Sequence, residues 1–367
     1  MVGEMTSKEI TLFRENLLTW FETHNRKLPW RDTEDPYCIW VSEVMLQQTQ
    51  VKKVLEYYQK FLDRFPDVES LASAPLQDLL KAWEGLGYYA RARNLHKAAQ
   101  VVVRDLKGKI PADYGPFREL PGVGVYIAAA VQSIAFNRPY AVVDGNVKRV
   151  LARLFLIETP INQSASEKIF QEQADLLLDR SVPGLFNQAM MELGATVCRP
   201  RSPTCILCPV NKICRAFQTA QQEEFPVRQK SKPLPEYHIV AGVIHKGDQI
   251  LITQRKPEGL LGGLWEFPGG KIQAKETAEQ ACSRVIREEA SLLVEPIEYL
   301  TRVKHAYTHF KITMDIFHCH YQSGEVALND AVDYRWITVD QIDQFPFPRS
   351  NHKFIPLLTQ GKEEINE

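Results

Sequence analysis

The segment from Leu120 to Asp144 constrains this chain more than any other stretch. It begins Leu-Pro-Gly-Val-Gly and continues as an Ala-rich apolar run. Two glycines one residue apart, after a proline and before a helix-like run, predict a tight hairpin. Because Gly122 and Gly124 lack Cβ atoms, their backbone can approach another molecule closely. Their N–H groups and the dipole of a helix starting near Val125 favour an anion, so the segment predicts a phosphate-binding hairpin.

A lone acid, Asp144, follows the hairpin's helix and precedes Gly145-Asn146 and another predicted helix. Taken singly, the hairpin is equally an ordinary turn between helices, and such an Asp is most often an N-cap. Together they resemble the helix-hairpin-helix DNA glycosylase superfamily, typified by endonuclease III, whose hairpin is followed by an essential Asp. The rest of the chain must support that resemblance.

The length and composition predict two soluble globular domains. The chain has 367 residues, and a domain takes about 150. Its sequence is 44% hydrophobic and 24% charged, and its N-terminus resembles no signal peptide, so we expect an intracellular protein with no membrane span. The net charge of −1 argues against binding DNA through overall charge, but leaves open a local basic face.

Residues 1–220 are expected to be mainly α-helical, because their apolar residues recur at helical spacing. The predicted helices are Leu12–Phe21, Tyr37–Tyr58, Leu71–Leu80, Arg91–Leu106, Val125–Phe136, Gly145–Ile157, Ser166–Leu178 and Gly184–Gly194.

Glu43 lies in an apolar part of the predicted Tyr37–Tyr58 helix. A carboxylate in apolar company has a raised pKa, which suits a general acid. A solvated helix face is the commoner place for a single helical Glu, and this alternative stays open. The same holds for the glutamines that follow, including Gln48.

Two loops of this half combine aromatic residues with basic or glycine residues. Residues 26–31 are Arg-Lys-Leu-Pro-Trp-Arg, which suits either a surface loop anchored by its Trp or the stacking of an extruded base. Residues 83–89 are Gly-rich and form either a packed turn or a second loop on a duplex, with Tyr88 or Leu86 as a wedge.

Four cysteines form a compact motif with the spacing Cys-x6-Cys-x2-Cys-x5-Cys: Cys198, Cys205, Cys208 and Cys214. Four soft thiolates within seventeen residues can hold one Zn²⁺ or one 4Fe–4S cluster. The spacing is similar to that of the endonuclease III cluster loop, a resemblance that favours iron–sulfur.

The character of the chain changes after residue 220. Residues 221–235 are polar, charged and Pro-rich and are expected to be a linker. Predicted strands at His238–His245, Gln249–Arg255 and Phe310–Tyr321, with a helix at Thr277–Glu289, indicate an α/β domain with a mixed sheet over residues 236–360.

In this second half, Gly270, Glu276, Arg284 and Glu288-Glu289 fall at characteristic spacings. They resemble an incomplete Nudix box, a motif that places carboxylates on Mg²⁺. Val285 replaces its central Glu and Ser291 replaces a later Gly. Because hard cations need several oxygen ligands, the loss predicts a domain that binds its ligand without hydrolysing it. Pyrophosphohydrolase activity is the alternative.

From about Leu12 to Leu358, the combined motifs resemble the adenine DNA glycosylases of the MutY type. The resemblance implies a helix-hairpin-helix glycosylase domain with a 4Fe–4S loop, followed by a Nudix-like domain. It implies excision of adenine opposite 8-oxoguanine or guanine in double-stranded DNA, leaving an abasic site. Bifunctional relatives carry a Lys where this chain has Tyr126, so a monofunctional enzyme is expected. We further expect a monomer in the cytoplasm, associated with the nucleoid as in bacteria.

The resemblance also assigns residue roles. Glu43 is expected to protonate adenine N7 and Asp144 to face the sugar, with Tyr126 and Asn146 orienting them, although Asn146 is equally an ordinary first-turn residue. Gln48 and Tyr88 are expected near the partner base, and Tyr307-Thr308-His309 stands where the family commonly has Phe-Ser-His to probe 8-oxoguanine. We therefore expect the preference for 8-oxoguanine to persist in altered degree. The implied base pocket comprises Arg26, Leu28, Trp30, Arg31, Leu46 and Gln188.

Overall fold

The computed structural model describes residues 5–230 and 233–360. The chain forms two compact units. The first comprises Met1–Ala72 and Lys97–Ser231, and the second comprises Ser73–His96 and Lys232–Glu367. The second unit thus takes in an early segment of the chain, which boundaries drawn at residues 220 and 235 do not anticipate. No helix in the described ranges is long and apolar enough to cross a membrane.

Residues 5–230 are mainly helical, as predicted. In chain order the helices are α1 (Ser7–His24), α2 (Pro36–Leu46), α3 (Val51–Arg64), α4 (Val68–Ser73), α5 (Leu76–Ala82), α6 (Ala90–Leu106), α7 (Tyr114–Arg118), α8 (Val125–Phe136), α9 (Gly145–Phe155), α10 (Ser166–Leu177), α11 (Pro183–Thr196) and α12 (Arg215–Gln218).

Two helix predictions were wrong, because each pattern spans a break. The predicted Tyr37–Tyr58 helix is divided into α2 and α3, and Gln48 between them has a left-handed backbone with φ of 56°. The predicted Leu71–Leu80 helix is divided into α4 and α5 at Pro75, whose ring and missing N–H interrupt a helix. The first break places Gln48 in a turn rather than on a helix face.

The core of the first unit is built around α9 and α11. Helix α1 contributes Phe13, Leu17 and Phe21 to it, whereas Leu12, predicted on the same apolar face, is exposed. Helix α11 packs against α1, α8 and α9, and α2 packs against α8. These five packed helices provide a frame for side chains that project between them.

Residues 225–229 of the predicted linker belong to the first unit. The Ile161 N–H donates to the Val227 carbonyl at 3.0 Å, and the Asn162 side chain exchanges hydrogen bonds with the backbone of Gln229. Phe225 is buried. At least residues 225–229 therefore have a fixed path.

The second unit contains a mixed sheet, as predicted. Strand β1 pairs in parallel with β6 and antiparallel with β2 and β4, β5 pairs antiparallel with β6, and β2 pairs antiparallel with β3 and β7. The strands are β1 (Glu236–Lys246), β2 (Gln249–Arg255), β3 (Trp265–Glu266), β4 (Gly269–Lys271), β5 (Leu293–Ala306), β6 (Lys311–Ser323) and β7 (Ala331–Thr338).

The sheet contributes to two hydrophobic cores. Helix α13 (Ala278–Ala290) packs in one of them, and α14 (Ile355–Gln360) packs in the other. Strand β5 was not predicted from the sequence. It lies at the end of the strand order, is mostly exposed, and contains irregularities in its register, so its residues do not alternate cleanly. Edge strands and bulges remove the period-two pattern on which strand prediction depends.

Candidate active site

The first unit encloses a cavity of about 140 Å³. All ten residues that the sequence assigned to catalysis or to the base pocket line it, although they come from the 26–31 loop, α2, α8, α9 and α11. They are Arg26, Leu28, Trp30, Arg31, Glu43, Leu46, Tyr126, Asp144, Asn146 and Gln188. The remaining lining residues are Ile39, Ser42, Thr49, Val51, Ile134, Met191, Glu192 and Ala195.

Glu43 projects from α2 into this cavity and is only 4% exposed. Burial raises the pKa of its carboxyl group to about 7, and the negative charge of Asp144 acts in the same direction. The Tyr126 hydroxyl donates to Glu43 Oε2 at 2.6 Å and partly opposes that rise, as does the charge of Arg31. Glu43 can therefore exchange a proton near neutral pH, and its solvated-face alternative is excluded.

Asp144 is both an N-cap and a cavity residue. Its Oδ1 accepts a hydrogen bond from the Val147 N–H at 2.7 Å, which caps α9. Its Oδ2 accepts one from Asn146 Nδ2 at 2.8 Å, so Asn146 holds the carboxylate. Burial raises the pKa of Asp144, while these donors lower it, because they stabilise the ionised form.

Glu192, which the sequence analysis missed, is a fully buried carboxylate in the cavity lining. Arg26 Nε and Nη2 donate to its two oxygens at 2.6 and 2.7 Å, and Arg31 Nη2 donates at 2.8 Å. Burial by itself would raise the pKa of Glu192, but the hydrogen bonds from both arginines outweigh it and lower the pKa. Its only sequence signal was an acid within the apolar run of α11.

Arg149 is a second buried residue that the sequence analysis missed. Its Nη2 donates to Asn146 Oδ1 at 2.8 Å and to the Gly194 carbonyl at 2.7 Å, and its Nε donates to the Cys198 carbonyl at 2.7 Å. It therefore joins the Asp144–Asn146 pair to the segment that carries the first cysteine. Its helical spacing from Asn146 was visible in the sequence, but its partners across the fold were not.

The hairpin before α8 has the open backbone that its glycines predict. Gly122 adopts a positive φ of 76°, and Gly124 is the N-cap of α8. A Cβ built on Gly124 would have nothing within 4 Å, so the space before the helix is open. Arg118 Nη1 donates to the Val123 carbonyl at 2.8 Å and holds the turn. The backbone geometry suits an approaching phosphate.

The four cysteines fit a thiolate-bound group by their chemistry. Burial raises the pKa of Cys208 to about 12, and the charges of the other three cysteines raise it too, so their thiols share one neighbourhood. Arg153 Nη1 lies 3.3 Å from the Cys198 Sγ, and its buried Nη2 has no hydrogen-bond partner among the described residues. Among the side chains of residues 5–230 and 233–360, no set of three or more His, Cys, Asp or Glu is arranged to hold a metal ion.

In the second unit, Tyr307, Thr308 and His309 form a tight turn between β5 and β6. The Tyr307 N–H donates to the Phe310 carbonyl at 2.8 Å, and the Tyr307 hydroxyl lies 3.0 Å from the Ser350 Oγ. Thr308 and His309 are exposed at the tip of the turn. The backbone N–H and the hydroxyl of Tyr307 therefore hold a turn whose next two residues are exposed.

Tyr88, in the same unit, contacts this turn. Its hydroxyl lies 2.7 Å from the Thr308 Oγ1, and 43% of its surface is exposed. Leu86, proposed beside it as a wedge, is only 6% exposed, so its side chain is not available for that role. Gln48, in the first unit, is exposed and does not line the cavity.

Two carboxylates of the incomplete Nudix box are paired with one arginine, Arg284. Arg284 hydrogen-bonds to Glu276 and, through Nη1 at 2.8 Å, to Glu288. The hydrogen bond from Arg284 lowers the pKa of Glu276 to about 2. Val285, in place of the central Glu, is buried, and a Cβ on Gly270 would meet its Cγ1 at 2.9 Å. Val285 therefore packs the core instead of binding a cation.

Two family models match the sequence. The first is described as HhH-GPD superfamily base excision DNA repair protein and matches residues 41–175, and the second is a NUDIX domain and matches residues 239–357.

Relatives that match most of the chain agree with both family models. The chain is 35% identical to the adenine DNA glycosylase of Rattus norvegicus in an alignment 389 positions long, which covers 91% of this chain and 75% of that protein. It is also 35% identical to the adenine DNA glycosylase of Homo sapiens in an alignment 392 positions long, which covers 91% of this chain and 71% of that protein. Among solved structures, a thermostable thymine-DNA glycosylase aligns with a TM-score of 0.54 at 33% identity, covering 59% of this chain and 100% of the other.

Proposed function

Because this chain belongs to the family of adenine DNA glycosylases, we propose that it hydrolyses the N-glycosidic bond of adenine mispaired with 8-oxoguanine or guanine. The proposal rests on one observation above all. Glu43 and Asp144, which are 101 positions apart in sequence number, line the same cavity. A protonatable acid and a hydrogen-bonded carboxylate on one cavity are what a glycoside-type hydrolysis requires.

Glu43 is the proposed general acid. With its pKa raised to about 7, a useful fraction of its carboxyl groups carries a proton near neutral pH. Transfer of that proton to adenine N7 lets the base leave as a neutral molecule. The Tyr126 hydroxyl, 2.6 Å from Glu43 Oε2, orients the carboxyl group.

Asp144 is the proposed partner of the oxocarbenium-like sugar. Its two oxygens accept hydrogen bonds from the Val147 N–H and the Asn146 side chain, which fix the carboxylate in one orientation. A fixed negative charge stabilises the positive charge that develops at C1′. Water then completes the hydrolysis and leaves an abasic site.

Adenine in a duplex cannot reach a cavity in the protein interior, so we propose that the base is flipped out of the helix. Trp30 and Leu28 offer apolar surface for the ring, and Gln188 offers an amide for its edge. The open backbone of Gly122 and Gly124 is the proposed grip on a phosphate of the same strand.

We propose that the enzyme has no strand-cleaving lyase activity. Lyase activity in this superfamily needs an amine that forms a Schiff base, and this chain has Tyr126 at that position. A phenol cannot form an imine. The Tyr126 hydroxyl has a different partner, the Glu43 carboxyl group.

Adenine is a normal base, so we propose that the partner base decides whether it is removed. Thr308 and His309, exposed on the turn of the second unit, are the proposed contacts to 8-oxoguanine, with Tyr88 filling the stack beside it. The hydrogen bond between Tyr88 and Thr308 engages the hydroxyl that would otherwise face the base. We expect replacement of Tyr307-Thr308 by Phe-Ser to change the ratio of excision opposite 8-oxoguanine and guanine. An unchanged ratio would contradict this assignment.

The four cysteines are the proposed ligands of a 4Fe–4S cluster. Cys198, Cys205, Cys208 and Cys214 would hold it, and it would supply folding stability to a loop that is rich in arginine and lysine. The hydrolysis itself uses only the side chains of the cavity. Iron and sulfide analysis of the purified protein, with Cys208→Ser as the comparison, tests the assignment.

Single-turnover release of adenine from a duplex with one A·8-oxoguanine pair tests the activity. The parent protein should release adenine, whereas Glu43→Gln and Asp144→Asn should not do so at a comparable rate. Borohydride trapping of an enzyme–DNA imine would contradict the absence of lyase activity. Mg²⁺-dependent hydrolysis of 8-oxo-dGTP without adenine release would replace the proposed function by the Nudix alternative.

A further inference from the structure

Glu192 has no part in the proton transfer described above, yet it is the most buried charged group in the cavity lining, with no exposed surface. It receives four hydrogen bonds from two residues of the 26–31 loop. Three come from Arg26, through its backbone N–H, Nε and Nη2, and one comes from Arg31 Nη2. Burying a carboxylate destabilises the fold unless the charge is paired. The buried charge of Glu192 therefore depends on its hydrogen bonds with Arg26 and Arg31.

The set also fixes the loop to α11. Arg26 is tied to Glu192 by both backbone and side chain, and Arg31 Nη1 donates to the Arg26 carbonyl at 2.9 Å. The Arg31 guanidinium lies 5.2 Å from the centre of the Phe21 ring, which limits its movement further. Both arginines line the cavity and therefore present their remaining N–H donors in nearly fixed directions.

The charges of the set do not cancel. Two guanidiniums on one carboxylate leave one net positive charge in the cavity wall. Arg31 acts electrostatically on Glu43, so the charge of the wall bears on the proposed general acid. Without the negative charge of Glu192, the cavity wall would carry two positive charges, and that of Arg31, which acts on Glu43, would be uncompensated.

We propose that Glu192 is a positioning residue of the glycosylase site, which holds Arg26 and Arg31 in the cavity wall and limits their effect on Glu43 to one net positive charge. This inference rests on the proposed function. It assigns Glu192 no contact with the reacting atoms. Glu192 acts on the base indirectly, because it orients the two arginines. It acts on Glu43 because it partly neutralises their positive charge.

The test is the pH profile of single-turnover adenine release at saturating enzyme. Glu192→Gln keeps the shape of the side chain and removes its charge. A second positive charge then favours the ionised form of Glu43, so the alkaline limb of the profile should move to lower pH by about one pH unit. Glu192→Asp retains the charge and should keep the limb near its parental position, even if its rate is lower.

Charge balance supplies the decisive comparison. The double variant Glu192→Gln with Arg31→Gln again has one net positive charge, so its alkaline limb should return toward the parental pH. Arg31→Gln alone removes a positive charge and should move the limb to higher pH. This single variant tests the proposal even if Glu192→Gln does not fold, because an unmoved limb in Arg31→Gln would overturn it.

A matched control separates positioning from loss of stability. Arg14 donates to the carbonyls of Leu176, Leu177 and Leu178 and does not line the cavity. Arg14→Met should lower the melting temperature and leave the alkaline limb in place. If Glu192→Gln behaves like Arg14→Met, with a uniform loss and no shift of the limb, Glu192 is merely structural and the proposal is wrong. Failure of the parent protein to release adenine would instead contradict the proposed function.

Discussion

The cavity of the first unit and the Nudix-like box of the second unit both contain carboxylates at motif positions, but they surround them with different partners. Glu43 is buried beside a neutral phenol, and its pKa rises to about 7. Glu276 is bonded to the guanidinium of Arg284, and its pKa falls to about 2. One carboxyl group can gain and lose a proton near neutral pH, while the other remains charged.

The difference shows what separates a reactive acid from a structural one. An arginine stabilises the charged form of a carboxylate and removes it from proton transfer. In the first unit, the hydrogen bonds from Arg26 and Arg31 lower the pKa of Glu192 in the same way. Glu266 of the second unit differs, because its two oxygens accept hydrogen bonds from Arg255 Nη1 at 2.8 and 2.7 Å, yet burial is the larger effect and raises its pKa. Among these four acids, Glu43 is the one without a directly bonded guanidinium.

The largest expected effect follows from removing the reactive acid. Glu43→Gln preserves the size of the side chain but cannot donate a proton to the base. We expect the rate of adenine release to fall by about 10²- to 10⁴-fold, the usual contribution of a general acid. Single-turnover kinetics on an A·8-oxoguanine duplex measures it. Glu276→Gln, the equivalent change in the second unit, should retain most of the parental rate, and a comparable loss there would break the comparison.

The second expected effect is a pH-dependent change in stability. The pKa of Glu43 is raised from 4.5 to about 7 in the folded protein, which corresponds to about 3 kcal/mol. That stability is present below about pH 4.5 and is lost as the pH rises through 7. Glu43→Gln does not titrate, so its free energy of unfolding relative to the parent should increase between pH 5 and pH 8. Denaturant unfolding at both pH values measures the difference.

Glu276→Gln supplies the control with the opposite sign. Because the folded-state pKa of Glu276 is lowered to about 2, its contribution is present above the unfolded value and is lost as the pH falls. This variant should therefore be less stable than the parent at pH 7, and the difference should shrink as the pH falls from 4.5 toward 2. If the two variants show the same pH trend, the contrast between the two regions is wrong.

A smaller effect is expected from the phenol beside Glu43. Tyr126→Phe removes the hydrogen bond that lowers the pKa of Glu43, so this pKa should rise. The protonated form is the proposed active form, so the alkaline limb of the pH profile should move to higher pH. The maximal rate should fall about ten- to a hundredfold, because a hydrogen bond to a charged group contributes about 1.5–3 kcal/mol. If the alkaline limb stays in place or moves to lower pH, the hydrogen bond from Tyr126 does not lower the pKa of Glu43.

The smallest effect is expected at the turn of the second unit. Thr308→Ser removes a methyl group and keeps the hydroxyl that contacts Tyr88, so chemistry at Glu43 should be unaffected. We expect the ratio of excision opposite 8-oxoguanine and guanine to change only a few-fold, or by about 1 kcal/mol. Rates on the two duplexes, measured side by side, test this. Equal changes on both duplexes would show that the turn does not discriminate partner bases.

The sequence predicted much of the fold because long amphipathic segments carry their own signal. Helix α8 and strand β2 were both predicted at their observed bounds. The break at Gln48 was missed because no glycine or proline marks it, although the backbone there is left-handed. Strand β5 was missed because its exposure and bulges hide the alternation of a strand.

The candidate site was predicted only in part. Motif resemblance identified ten lining residues, but Glu192 and Arg149 were missed because their partners are remote. Arg26 and Glu192 are 166 positions apart, so the sequence around Glu192 in α11 does not indicate the ion pair. A wedge role for Leu86 was equally plausible as one for Tyr88 until burial distinguished them.

Residue identity alone was enough to specify which chemistry is available: an acid at 43, a phenol in place of an amine at 126, four thiols near 200, and a Nudix box without its central carboxylate. Folding settled which of the acids can exchange a proton at neutral pH. The pKa of a carboxyl group depends on the water it loses and on the donors and charges that surround it. For Glu43 these come from α8, α9 and the 26–31 loop, and no stretch of sequence around α2 contains them.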